Sequence, residues 1–293
     1  MATSAPLRIW RRSEGPDALG DAVLQGGLVL IEADAPCAAT ATAMVQRARD
    51  IVTACFGSDP ERAEVRLAPD AFRRAAVAAR RAVRNDSEID RLWLATLSAL
   101  GYAPDTIHRD CMRLRVVPST AAACGRFIRP LPAHRDSWGS RCSAQINWWT
   151  PLYPVAPERT LLIWPDAFAR PVANNCADWD YEALLRGEDR QAPILPVATE
   201  APPGAPVAVR ISPGDLLAFS AAHLHASATD DSGITRFGLD TRKVWTGDLA
   251  AARSAPNVDG PGGPPRWEMF DRAPSATACA RAGSTTSVTN AAT

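Results

Sequence analysis

The spacing of hydrophobic positions changes once along this chain. Over the first hundred residues it is helical. Residues 37–56 form an Ala-rich stretch that ends at Gly57, a helix stop. Pro69-Asp70 opens a second helix, in which Phe72, Ala76 and Ala79 recur opposite an arginine-rich face of Arg73, Arg74, Arg80, Arg81 and Arg84, read as solvated. Ser87 with Glu88 begins a third, with Leu92, Leu94, Leu97 and Leu100 as its core face. One short buried strand, Leu28 to Ile31, interrupts this region after Gly26-Gly27.

From about Cys111 short apolar runs broken by Pro, Gly and Asp take over, at 111–117, 142–149, 160–164, 207–211, 215–219 and 234–244. Runs of that length between turn signals predict the strands of a β-sandwich or barrel. The segment 165–206 holds one helical piece, around Asp178 to Leu185, and a Pro-rich return. The fold class expected is therefore α+β, mainly β, in a single domain over 1–272. Its helical part covers about 1–108, its β part about 109–245, and a C-terminal helix or loop 246–272. The small, polar stretch 273–293 is expected to be disordered.

Composition narrows the function classes. The 293 residues carry 32 basic and 32 acidic side chains, a formal charge of zero, which argues against a nucleic-acid-binding surface. Lys243 is the only lysine, so nearly all the basic groups are arginine. Seven cysteines, an odd number with no C-x-x-C pair, fit neither a zinc knuckle nor a disulfide framework. Reduced thiols, an amino-terminal stretch without a secretory apolar region, and the lack of any apolar run of roughly 18 residues lead to the expectation of a cytoplasmic protein with no membrane partner.

The candidate chemistry lies in the β region. His134-Arg135-Asp136 places an imidazole and a carboxylate two residues apart, and in an extended strand such residues share a face. Alone that pattern is weak. Downstream, however, Pro213-Gly214-Asp215 forms a turn feeding a strand, His223 and His225 follow it, and Arg236 stands eleven residues beyond His225. Two histidines and one carboxylate can form the facial triad of a non-heme iron site. A planar guanidinium nearby suits a dicarboxylate.

With these pieces in order, the sequence resembles the Fe(II)/2-oxoglutarate-dependent oxygenases, in particular the phytanoyl-CoA dioxygenase-like branch. The matching stretches are AHRDSW, QINWWTPLYPV, PGDLLAFS and HASATDDSGITRFGLD, within about residues 110–245. The resemblance implies a double-stranded β-helix (jelly roll) with N-terminal helices packed on it. It implies Fe(II) held by His134, Asp136 and His225, with 2-oxoglutarate and O2 as co-substrates and Arg236 on the distal carboxylate. His223 becomes either a packing residue or one that supports the ligands from behind, and Arg242 a rival carboxylate anchor. Gln145 and Asn147 are candidates for cofactor contact, against a plain sheet hydrogen bond. Trp138 is the candidate substrate-facing aromatic, and Arg126 and Arg129 are candidate receivers of an anionic substrate group, against surface exposure.

The expected reaction is hydroxylation, desaturation or ring closure of a small, amino-acid-derived or similar metabolite, by a monomer or homodimer. Two other readings stay open: a cupin-like lyase or isomerase that uses His223 and His225 as metal ligands, and a jelly-roll binding module without catalysis.

Overall fold

Apolar runs that continue without alternation fold here as strands covered on both faces. In chain order the strands are β1 (Leu7–Ile9), β2 (Leu28–Ile31), β3 (Ile107–Arg109), β4 (Arg113–Val117), β5 (Ile146–Pro151), β6 (Leu161–Trp164), β7 (Val207–Ala208), β8 (Leu216–Ser220), β9 (Leu224–Ser227) and β10 (Arg236–Trp245). The helices are α1 (Pro16–Leu24), α2 (Ala38–Phe56), α3 (Ala63–Arg66), α4 (Pro69–Asn85), α5 (Ser87–Ala99), α6 (Asp136–Ser140), α7 (Tyr181–Arg186) and α8 (Thr246–Ala250). This computed structural model describes residues 7–10, 15–32, 35–187 and 193–270, so the segment 273–293 lies outside the described residues.

The protein is α+β with mixed sheets. A seven-stranded sheet runs β1-β2-β8-β5-β10-β3, with β4 also on β10. β1 lies parallel to β2, and the other pairs are antiparallel. β10 is long enough to pair with β5 along one edge and with both β4 and β3 along the other. A three-stranded sheet, β7-β6-β9, stands apart from it. The region read as helical thus contributes three strands, β1 to β3, to the large sheet. β1 and β3 are three-residue strands without a sequence signal of their own.

The two-residue period of a strand sorts the core into two layers. Trp148, Leu216, Ala218, Phe237 and Leu239 face the helices and join one cluster with Phe72, Ala76, Leu97 and Trp93. Their neighbours Trp149, Leu217 and Phe219 point the other way and meet Leu161, Ile163, Val209 and Ile211 of the small sheet and its approach. The helices cover one face of the large sheet, and the small sheet covers the other. Trp93 of α5 meets Trp148 edge to face at 5.4 Å. Along β10 the helix-side positions Phe237 and Leu239 alternate with Arg236, Gly238 and Asp240, which turn toward the space between the sheets.

The helix starts are chemical. Pro69 occupies the first turn of α4. Asp86, rather than Ser87, caps α5 by accepting from the Ile89 N–H at 2.9 Å, while its other oxygen holds Arg47 of α2 at 2.8 Å. Among the described residues six cysteines are free thiols, and no helix is long and apolar enough to cross a membrane.

Lys243 is the exception to this apolar layer. It is fully buried on the helix side of β10, with Nζ 3.6 Å from the Tyr102 ring centre and no hydrogen-bond partner. Burial, opposed by the Asp248 carboxylate, pushes the amine down to about 7. The unfolded chain then binds the proton more tightly than the fold does, so the fold gains stability as pH rises from about 7 to the free lysine range and not below. Replacing Lys243 with Met is expected to stabilise the protein by about 2 kcal/mol at pH 6, with the gain fading above pH 8. Urea unfolding at the two pH values measures this; a pH-independent difference contradicts it.

Candidate metal centre

His134 and His225 are brought together by backbone, before any ligand is considered. They form an antiparallel bridge in which each N–H donates to the other's carbonyl at 2.9 Å. β9 in turn lies on β6, with His225 opposite Ile163. The bridge places the two rings 4.1 Å apart.

Each ring is then oriented by a carbonyl. His134 Nδ1 lies 2.8 Å from the Pro132 oxygen, and His225 Nδ1 lies 2.9 Å from the His223 oxygen. A carbonyl only accepts, so both Nδ1 atoms carry the proton and both Nε2 atoms present a lone pair. This is the second-sphere pattern that orients metal-binding imidazoles. Phe219 closes edge-on against the His225 ring at 5.1 Å. Burial, reinforced by His134, depresses His225 to about 3, so its ring is neutral at physiological pH.

Asp136 completes the cluster. Its Oδ1 lies 3.6 Å from His134 Nε2, too long for a hydrogen bond, and the three ligand atoms of His134, Asp136 and His225 lie within 4.8 Å of one another. Burial would raise this carboxyl, but the His134 and His225 imidazoles and the more distant Arg242 outweigh it and hold it well below the usual range. An ionised carboxylate and two imidazole lone pairs with their other nitrogens engaged form a donor set suited to a divalent transition metal.

The route to that arrangement differs from the extended strand expected for His-x-Asp. His134 sits in the bridge, Arg135 is extended, and Asp136 is the first residue of helix α6. The consequence falls on Trp138. Two residues along a helix turn a side chain by about 200°, so Trp138 faces away from Asp136. It is buried with Trp164, Val172 and Leu224, donates to Asp259 Oδ1 at 2.7 Å, and lines neither cavity at the site.

Arg135, between the two ligands, is buried. It donates through Nε to Asp259 at 3.1 Å, through Nη2 to the Ala167 and Arg170 carbonyls at 2.8 Å, and through Nη1 to the Ala222 carbonyl. Asp259 also accepts from the Val172 N–H at 2.8 Å. This pair anchors the ligand segment to three loops. Sequence reasoning missed it, because Asp259 stands in a Gly- and Pro-rich stretch and no local pattern links it to Arg135.

The triad lies where two cavities meet. An inner one of about 60 Å³ runs between the sheets and is lined by Asn147, Phe219, Ser227, Arg236 and Arg129, among others. An outer one of about 580 Å³ opens past α4 on one side and α7 on the other. His134 and Asp136 line both.

Arg236 is buried in the inner cavity. Nη2 donates to Ser227 at 2.9 Å, whereas Nη1 has no partner. Burial, with the like charge of Arg115, lowers it to about 10, so it stays charged. Gly238 is the next inward position, and a Cβ there would lie 2.9 Å from Trp149 Nε1; its absence lets the indole lie beneath Arg236, 5.8 Å from the guanidinium carbon. Arg242, the rival anchor, is committed to Asp110 at 2.6 and 2.9 Å. Asp240 holds Arg115 at 2.8 Å.

Asn147 lines the inner cavity, accepts from Gln145 Nε2 at 2.7 Å and leaves its own Nδ2 without a partner; Gln145 is buried behind it, off the cavity wall. Arg126 lines neither cavity and stacks near Phe127. His223 is fully buried: Nδ1 accepts from the Ser220 N–H at 3.1 Å and Nε2 donates to the Gly26 carbonyl at 3.1 Å. With both nitrogens engaged, it has no lone pair for a metal, which removes the paired-histidine reading.

No family model matches the chain, and no curated protein sequence does. Solved structures with a partial likeness include EvdO2 from Micromonospora carbonacea var. aurantiaca complexed with 2-oxoglutarate, at 16% identity over 64% of this chain and 67% of that one, TM-score 0.37. The non-heme monooxygenase ThoJ in its apo form is 15% identical over 78% of this chain and 77% of its own, TM-score 0.45. EctD from S. alaskensis with 2-oxoglutarate and 5-hydroxyectoine is 16% identical over 94% and 91%, TM-score 0.42.

Changing His225 to Ala is expected to weaken Co(II) binding at least a hundredfold in anaerobic calorimetry. His223→Gln is expected to keep it within tenfold while lowering the unfolding temperature. The reverse order would transfer the ligand role to His223.

Proposed function

We propose that this protein is a non-heme iron oxygenase that uses 2-oxoglutarate and O2 to act on an unactivated C–H bond of a small molecule, by hydroxylation, desaturation or ring closure. The observation that carries the reading is the pairing of the His134, Asp136, His225 donor set with unpartnered buried donors in the same cavity: Arg236 Nη1 and Asn147 Nδ2. Leaving a buried donor unsatisfied costs about 1–3 kcal/mol, and more for a charged one. A ligand with carboxylate oxygens beside the metal removes both costs.

In this reading the two facing sheets are the halves of a double-stranded β-helix, with the site at one end between them. His134, Asp136 and His225 would hold the ferrous ion through Nε2, a carboxylate oxygen and Nε2. The bound ion would let O2 oxidise 2-oxoglutarate to succinate and CO2, which leaves the second oxygen atom as the oxidant for the substrate C–H bond. The chain does the rest. The Pro132 and His223 carbonyls keep the imidazole tautomers fixed, so no proton has to move for the metal to bind. Arg236, held by Ser227 and backed by Trp149, binds and orients the distal carboxylate. Asn147 donates a second hydrogen bond from the cavity wall. Phe219, Leu161 and Trp149 keep water from the inner space, which strengthens each of these contacts.

The test is succinate formation from 2-oxoglutarate with Fe(II), first without any further substrate. Arg236→Gln is expected to raise the half-saturating 2-oxoglutarate concentration about a hundredfold, equivalent to about 2.7 kcal/mol. An unchanged requirement contradicts the anchor. Metal binding without any succinate would return the protein to a binding module.

A further inference from the structure

The outer cavity has the two features of a receptor for an amphiphilic acid: surplus positive charge and an apolar wall, whose Trp179 and Tyr181 rings are backed by the Arg266 guanidinium at 5.4 Å. Its charge is uneven in a specific way. Asp110 is a single, fully buried carboxylate that serves two guanidiniums, Arg113 at 2.6 Å and Arg242 at 2.6 Å. Arg115 is matched by Asp240, and Arg135 by Asp259. Arg80 has no carboxylate partner among the described residues; its contact is the face of Phe127, 5.6 Å from the guanidinium carbon. Arg113 also keeps a buried Nε with no hydrogen-bond partner. One carboxylate shared by two arginines, with a third arginine unmatched, leaves this wall short of negative charge even with Glu268 on the lining, since six guanidiniums line the cavity against four carboxylates.

Arg80 belongs to the helix face that the sequence pattern marks as solvated. In the structure it is half-buried and lines the cavity. Burial, with Arg115 and Arg113 as like-charged neighbours and Asp240 opposing, lowers its affinity for a proton. An arriving anion reverses that balance.

The opposite wall is apolar. Trp179 and Tyr181 stand 5.7 Å apart, and Leu184, Ile194 and Leu195 continue the surface. Phe127 and Leu185, on the two sides of the opening, are 46% and 61% exposed.

We propose that the substrate is a small organic acid, with an anionic head bound by Arg80 and Arg113 and an apolar body, ring-bearing or branched, laid against Trp179, Tyr181 and Leu184. This inference rests on the oxygenase reading, which makes the outer cavity the side from which a substrate approaches His134 and Asp136. The planar forks of the two arginines suit a carboxylate or a phosphate monoester alike.

The experiment is anaerobic calorimetry on the protein loaded with Fe(II) and saturated with 2-oxoglutarate, so that acid probes cannot take the inner cavity. The probes are 4-phenylbutyrate, phenethyl phosphate, and the neutral 4-phenylbutyramide. The acids are expected to bind at least tenfold more tightly than the amide. Arg80→Gln is expected to weaken the acids about tenfold and leave the amide unchanged. Comparing the butyrate with the phosphate identifies the head group. Equal binding of acid and amide, equal loss of both in Arg80→Gln, or no acid binding at millimolar concentration overturns the proposal. Succinate formation by the wild-type protein without probe is scored separately: its absence defeats the oxygenase reading, and its presence with no acid preference defeats this inference alone.

Discussion

Two backbone hydrogen bonds, between His134 and His225, are the constraint on which the rest of the site depends. They join segments about ninety residues apart and bring two buried imidazoles into ring contact. Their effect is reinforced because each ring is locked by a carbonyl on its own segment: Pro132 two residues before His134, His223 two residues before His225. Ligand geometry is thereby a property of the backbone, and side-chain freedom contributes little. Asp136 is held the same way, as the first residue of a short helix whose preceding arginine is tied to three loops, one of them through Asp259.

The space between the sheets is an unusual place for charge. Apolar residues of one core cluster line it beside Asn147 and Arg129, and Arg236 is enclosed there with only Ser227 as a side-chain hydrogen-bond partner. Such a position weakens the fold unless a bound anion offsets it. The same logic extends outward, where Asp110 is divided between Arg113 and Arg242 and Arg80 has only an aromatic face. In the proposed reading the site runs from the candidate metal cluster, through a pocket that would receive a carboxylate, to a cationic and apolar mouth. Each step is set by which face of a strand or helix a residue occupies.

Much of this was legible in the sequence. The helices α2, α4 and α5 follow from apolar spacing, and β2, β4, β6, β8 and β10 from short apolar runs. The three candidate ligands and Arg236 follow from the resemblance that their order and spacing carry, and the structure brings His134, Asp136 and His225 within 4.8 Å of one another. Legibility failed where tertiary contacts decide conformation. β1 and β3 exist because longer strands offer them an edge. His-x-Asp reads as an extended pair, but Asp136 begins a helix, which turns Trp138 into the core. Arg80 sits among five arginines on one helix, and only packing separates it from its solvated neighbours. The Arg135–Asp259 pair spans more than a hundred residues with no local signature.

The central claim, that His134, Asp136 and His225 close around one ferrous ion, is tested most directly by anomalous diffraction at the iron edge from crystals grown anaerobically with Fe(II). The account predicts a single strong peak about 2.0–2.2 Å from His134 Nε2, His225 Nε2 and an Asp136 oxygen, the bond range of such donors to first-row divalent metals. A peak elsewhere, or one bound through His223, would contradict it.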